Sequence, residues 1–368
     1  MMYIKKARLS IISMPLKKPF STHLGVVKNR EAIIVELIDQ DGVAGFGETV
    51  AFSSPWYTEE TVKTAFHIQK DFLLPKLMEQ PVEHPRDLTN VFSFIRRNEM
   101  AKSGVETALW DLYSKRMGKP LSESLGGTRN EVLAGAVVAT QSINEALRQI
   151  EQFSTSGYER IKIKISPEND IEFLKAIRKV FPDVPLMVDA NSAYTLQDIE
   201  HLRTLDEFNL IMIEQPLRVT DIVEHAKLQK QLQTPICLDE SITSVHDVKS
   251  AIQLGSCQVV NIKVGRVGGL QNAKQIHDLC VENEIAVWCG GMIEFGISKA
   301  HSIAIASLPG FSIPGDLSSS NHYWEEDIIE PLIEMKNGKI VVPNGPGLGF
   351  SLNLKRMKEI TLYKEEFV

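Results

Sequence analysis

The chain has little cysteine: four in 368 residues, Cys237, Cys257, Cys280 and Cys289. No two are spaced as CxxC, and three lie inside apolar strand-like runs. This argues against a disulfide frame or a zinc site and for buried, reduced thiols in a cytoplasmic protein. Positive charge is also short, 40 Lys and Arg against 47 Asp and Glu, for a net charge of -7 and a pI near 5.8. No cluster of Lys or Arg interleaved with aromatics offsets that balance, so no nucleic-acid partner is expected and the ligand should be small. Long apolar runs are missing as well. Leu9-Ser10-Ile11-Ile12-Ser13-Met14 is broken by serines and closed by Pro15, and no small-residue cleavage site follows. Nothing approaches the length of a membrane span, so neither secretion nor insertion in a membrane is expected.

What is present is an ordinary globular composition, 43% apolar and 24% charged, in a chain long enough for a barrel of about 250 residues plus an accessory domain. Residues 1–125 read as an α+β domain. Ala32-Ile33-Ile34-Val35-Glu36-Leu37 looks like a strand, and Asp41-Gly42 marks a turn before Gly45-Phe46-Gly47-Glu48. A helix opened by Thr58 is expected to Leu74, and another from Ala101 to Met117, ended by Gly118 and Pro120. Residues 126–320 alternate apolar strands with amphipathic helices, the pattern of βα units. Eight strand candidates fall near 132–139, 160–165, 185–191, 210–216, 235–241, 257–264, 286–292 and 311–316. Intervening helices show in Ile171, Leu174, Ile177 and Val180, and in Val248, Ala251, Ile252 and Leu254. No full helix follows the eighth strand, and residues 321–368 are expected to pack back on the first domain.

Five charged residues end five of these strands at nearly equal intervals: Lys164, Asp189, Glu214, Asp239 and Lys263, 25, 25, 25 and 24 positions apart. One βα unit takes about that many residues, so the five charges should share one rim of a parallel barrel, three carboxylates between two lysines. Three hard oxygen ligands with no His or Cys suit Mg²⁺, with Mn²⁺ tolerated, and a cation would relieve the repulsion among them. Asn191 and Glu240 stand beside these residues, either to orient a carboxylate or as solvated turn residues. Lysines flanking a cation point to proton abstraction from carbon next to a carboxylate. Lys162, two residues before Lys164, faces the same way and adds positive charge beside the presumed base.

These residues carry a resemblance. Gly45-Phe46-Gly47-Glu48, Lys162-Ile163-Lys164, Asp189-Ala190-Asn191, Glu214-Gln215-Pro216, Asp239-Glu240-Ser241 and Lys263 with Gly268-Gly269 are similar to the enolase superfamily in its muconate-lactonising branch. Within that branch the chain resembles the o-succinylbenzoate synthase and N-succinylamino acid racemase family, over nearly its whole length. Trp288-Cys289-Gly290-Gly291-Met292 has no His base at the seventh strand, as the two-lysine branch requires. The resemblance implies a modified TIM barrel, (β/α)7β, with an α+β capping domain. It also implies Mg²⁺ on Asp189, Glu214 and Asp239, and catalytic Lys164 and Lys263 facing each other across a small carboxylate substrate. Specificity would come from residues 19–29 and 51–58, with Phe20, Trp56 and Tyr57, joined by Gly291, Met292 and Ile293 of the barrel and by Tyr323. A homo-oligomer is expected.

The activity so implied is dehydration of 2-succinyl-6-hydroxy-2,4-cyclohexadiene-1-carboxylate in menaquinone biosynthesis, accompanied by racemisation of N-acylamino acids. A dedicated racemase, a dipeptide epimerase and a muconate cycloisomerase are the alternatives inside the branch. The single Asp316 in Pro314-Gly315-Asp316-Leu317-Ser318 disfavours the epimerase, which often carries an acidic pair there. A metal-dependent lyase or aldolase and a non-catalytic barrel module stand outside the branch. Arg266, three residues after Lys263, either depresses the pKa of that lysine or anchors its loop.

Overall fold

The computed structural model describes residues 1–22, 25–138, 140 and 142–368. Strands Ile4–Thr22 and Gly25–Asp39 form one long antiparallel ribbon, Ala44–Thr49 joins its second strand, and the C-terminal strand Thr361–Phe367 joins its first. The last pairing, Ala7 opposite Phe367, brings the tail back onto the N-terminal sheet. Residues 20–22 pair with 25–27, so the segment expected as a loop at 19–29 is an extended ribbon there. Its residues 23 and 24, and residue 139 of the first expected barrel strand, lie outside the described residues.

The buried helix Glu99–Arg116 covers one face of this sheet. The glycines of Gly45-Phe46-Gly47 explain how closely it sits: a Cβ on Gly47 would overlap the carbonyl of Gly104. The first helix starts later than expected, at Val62, with Thr61 as its cap accepting from Thr64 N at 3.2 Å. Glu60 is drawn off to accept Met100 N and Ala101 N, at 2.8 and 2.9 Å, at the start of the neighbouring helix. A long-range partner thus outcompeted the local cap read from Thr58.

The barrel has seven parallel strands in chain order: Ala136–Val138, Ile161–Lys164, Leu186–Asp189, Ile213–Glu214, Ile236–Leu238, Val259–Ile262 and Ala286–Cys289. Each is followed by a helix. The eighth candidate, 311–316, is not a ladder strand. It closes the ring through isolated bridges, Phe311 to Val287 and Gly315 to Ala134, because Pro314 cannot donate to a ladder. Where an eighth barrel helix would stand there is a single turn, Ser320–His322. Helix Gly296–Ala306 is buried on all sides, wedged between barrel and capping domain. By contrast Val180 and Leu254, the last apolar positions of two of the expected helices, are exposed at helix ends. All four cysteines are buried and free, and no helix among the described residues is long and apolar enough to cross a membrane.

Candidate active site

A cavity lies at the carboxyl ends of the strands. Its wall contains Lys162, Lys164, Asn191, Lys263, Gly291, Met292 and Ile293 from the barrel, Phe20, Trp56 and Tyr57 from the capping domain, and Tyr323 from the C-terminal segment. Asp189, Glu214, Asp239, Glu240 and Arg266 do not line it; they lie buried behind the lysines. Lys164 ends the second barrel strand and Lys263 follows the sixth, four strands on around an eight-membered ring, which puts them on opposite sides of the mouth.

The ammonium groups are held by the carboxylates between them. Lys164 donates to Asp189 Oδ2 at 2.7 Å and Asn191 Oδ1 at 2.6 Å, and Asn191 donates to Glu240 Oε1 at 2.9 Å. Lys162 bridges Asp189 and Glu214, at 2.8 and 2.6 Å, over the ring of Trp288. Lys263 donates to Asp239 Oδ2 at 2.8 Å and to the Tyr57 hydroxyl at 2.9 Å. Tyr57 is therefore more than an aromatic wall: its hydroxyl also donates to Asp239 at 3.2 Å. Arg266 binds Asp239 and donates to the carbonyls of Ile242 and Asn261, at 2.8 and 2.7 Å, and to the Tyr57 hydroxyl at 2.9 Å, so its guanidinium ties three segments together.

Burial pushes the carboxyls of Asp189 and Asp239 upward, but the cations outweigh it and hold both below the usual range, Lys162 and Lys164 at Asp189, Arg266 and Lys263 at Asp239. Glu214 is pushed up to about 8 by burial and by Asp189. Burial works against the ammonium of Lys263, yet Asp239 and Tyr57 raise it, with Arg266 opposing them.

Among the described residues no three His, Cys, Asp or Glu side chains form a ready-made metal cage. The donors nevertheless suit a hard cation: three carboxylates end adjacent strands. Glu214 Oε2, 2.6 Å from Lys162 Nζ but out of alignment, is buried without a hydrogen bond.

Further contacts position the site, and several of the residues that make them, Asn261, Arg30 and Lys299 among them, were not evident in the chain. Gln215, at φ 39°, accepts Asp239 N and Ser241 N at 3.0 and 3.2 Å, fixing the end of the fifth strand. Asn261 donates to Glu214 Oε1 at 2.8 Å. Ile293 holds φ 57°, a strained conformation for a β-branched residue, and its carbonyl accepts from Arg30 of the capping sheet at 3.2 Å. Phe52, Val137, Glu294, Lys299, Asp316 and Ser318 complete the wall. Asp316 is committed to Arg160 at 2.6 Å and lies 3.4 Å from Lys162. The one signal for Lys299 was a lone lysine in a helix otherwise built of apolar residues, two serines and a histidine.

The class follows from comparison. Residues 145–356 match the enolase C-terminal domain-like family, and residues 6–126 match the mandelate racemase/muconate lactonizing enzyme N-terminal domain. An o-succinylbenzoate synthase of Geobacillus stearothermophilus is 52% identical over 97% of this chain and 95% of its own. An N-succinylamino acid racemase of Thermus thermophilus is 42% identical over 99% and 98%. A solved structure, described as a member of the enolase superfamily from Listeria innocua, superposes with a TM-score of 0.97 at 45% identity, covering 100% of both chains. The chain is an enzyme of the enolase superfamily and belongs to the o-succinylbenzoate synthase and N-succinylamino acid racemase family within it.

Proposed function

We propose that this enzyme dehydrates 2-succinyl-6-hydroxy-2,4-cyclohexadiene-1-carboxylate to o-succinylbenzoate, a step of menaquinone biosynthesis, and racemises N-succinylamino acids in the same cavity. The observation that carries this is the pair Lys164 and Lys263, on opposite sides of one cavity, with three carboxylates on the strands between them. The 52% identity to a named o-succinylbenzoate synthase, against 42% to a racemase, favours dehydration as the primary reaction. Asp189, Glu214 and Asp239 would hold Mg²⁺ or Mn²⁺, which when bound supplies positive charge to a substrate carboxylate.

For dehydration, neutral Lys164 takes the proton next to the carboxylate. Its ammonium, on the face from which hydroxide departs, returns that proton to the leaving oxygen as water. Lys263 stays charged and stabilises the developing negative charge from the other side. Racemisation uses both lysines, one taking the proton and the other delivering one, with the roles exchanged for the other enantiomer. Arg266 in this scheme holds Asp239 and the loop after the sixth strand, a role supported by its two carbonyl contacts. The dipeptide-epimerase alternative is disfavoured, because Asp316 already serves Arg160 and Lys162. A cytoplasmic homo-oligomer belongs to the same proposal.

The test is an assay of the purified protein with Mg²⁺ against the cyclohexadiene acid and a panel of N-succinyl and N-acetyl amino acids. Formation of o-succinylbenzoate is the expected result. Turnover of dipeptides or of muconate, with none of the dehydration, would overturn it.

A further inference from the structure

We infer that Lys299 is a specificity-determining residue that binds a second carboxylate of the substrate, away from the reacting carbon. This rests on the proposed function and adds to it the group that reads the far end of the acyl chain.

The charge balance of the cavity carries the inference. Four lysines line it: Lys162, Lys164, Lys263 and Lys299. The first three each have a carboxylate oxygen within 2.8 Å, whether to Asp189, Glu214 or Asp239. Lys299 is 2% exposed, and among the described residues its hydrogen bonds run only to neutral oxygens, Ser318 Oγ at 3.4 Å and the carbonyl of Ser319 at 3.3 Å. Its ammonium also faces the ring of Tyr323, 5.6 Å from the centroid. The acidic groups that act on it, Asp327, Glu294 and Glu48, are engaged with backbone N–H groups. Asp327 accepts from Gly296 and Ile328, Glu294 from Met292, and Glu48 from Phe295 and Ser298. Burial depresses the Lys299 ammonium more than those carboxylates restore it.

A buried cation with only long, neutral contacts is costly unless a ligand completes it. Lys17 and Lys18 add positive charge near His322, beside Tyr323, at this end of the cavity. The complementary ligand is an anion carried by a chain flexible enough to leave the first carboxylate at the catalytic lysines. A terminal carboxylate, as on a succinyl group, has that chemistry; an acetyl group lacks it. A charge-assisted bond in a closed site is worth about 10- to 100-fold in affinity.

The Mg²⁺-loaded wild-type enzyme and the Lys299→Met and Lys299→Arg variants are to be assayed with the N-succinyl, N-succinamoyl and N-acetyl derivatives of one amino acid. For wild type, kcat/KM should fall about 10- to 100-fold from succinyl to its neutral, equally sized succinamoyl counterpart. Lys299→Met should raise KM for the succinyl substrate by a similar factor and erase that discrimination, while Lys299→Arg keeps part of it. The wild-type arm needs no variant to fold. Equal kcat/KM of wild type for succinyl and succinamoyl substrates overturns the inference and leaves the proposed function standing. So does a Lys299→Met loss that is the same on all three substrates. Failure of wild type to turn over any of them while dehydration also fails overturns the function, and the inference falls with it.

Discussion

Two groups of buried carboxylates in this molecule are satisfied in opposite ways. Glu48 and Glu106 at the seam between capping domain and barrel, and Glu60 within the capping domain, each accept a pair of backbone N–H groups: Phe295 and Ser298, Leu270 and Gln271, and Met100 and Ala101 in turn. Among the described residues none of the three forms an ion pair, and burial pushes each up to about 7. At the barrel mouth, Asp189 and Asp239 are matched by ammonium and guanidinium groups and held low. Backbone donors are fixed and can only fasten helices, whereas side-chain cations can be exchanged, moved and deprotonated. The seam therefore holds the helix that carries Lys299 in place, and the mouth offers the exchangeable cations that the proposed chemistry uses.

The largest effect should come from the mouth. Lys164→Ala is expected to lower both dehydration and racemisation by about 10³-fold or more while leaving stability nearly intact, since Asp189 keeps Lys162. Substantial residual turnover would remove the lysine from the base role. Chelation of divalent cations should also abolish both reactions, with Mg²⁺ or Mn²⁺ restoring them; full turnover in a chelator would rule out the ligand set Asp189, Glu214 and Asp239.

The seam should behave in reverse. Glu48→Ala leaves two buried N–H groups without partners and should cost about 2–4 kcal/mol in denaturant unfolding, with kcat changed much less than by Lys164→Ala. A stable variant would deny the clasp.

A smaller effect sharpens the contrast through pH. The folded pKa of Glu106, about 7, lies above an ordinary unfolded carboxyl. Its stabilising contribution is then fully present below about pH 4.3 and is lost as pH rises through 7. Glu106→Gln cannot titrate, so its stability relative to wild type should improve as pH rises from about 4.3 to 7. A difference that stays flat with pH would place the pKa of Glu106 at its ordinary value.

Much of this was legible in the chain because barrel strands repeat: one charge per unit, at one place in each unit, needs no knowledge of packing. The positions that escaped depend on contacts between distant segments. Thr61 caps its helix because Glu60 is taken by a helix some 40 residues on. The last strand fails as a ladder because Pro314 interrupts it. Gly268-Gly269 stood out as a motif, but its reason appears only in three dimensions, where a Cβ on Gly269 would overlap the Glu106 carboxylate that caps the next helix. Arg30 and Lys299 gave almost no local signal, since each matters through a partner at least 19 residues away.

The central claim is that the two lysines work on opposite faces of one substrate carbon. It is tested most directly in deuterated buffer, by following α-proton exchange of each enantiomer of an N-succinylamino acid by NMR, with wild type and Lys263→Arg. Wild type should exchange both enantiomers. A guanidinium cannot serve as a base, so Lys263→Arg should exchange only the enantiomer presented to Lys164 and should no longer racemise. Exchange of both enantiomers by Lys263→Arg at the parental ratio would contradict the two-lysine account.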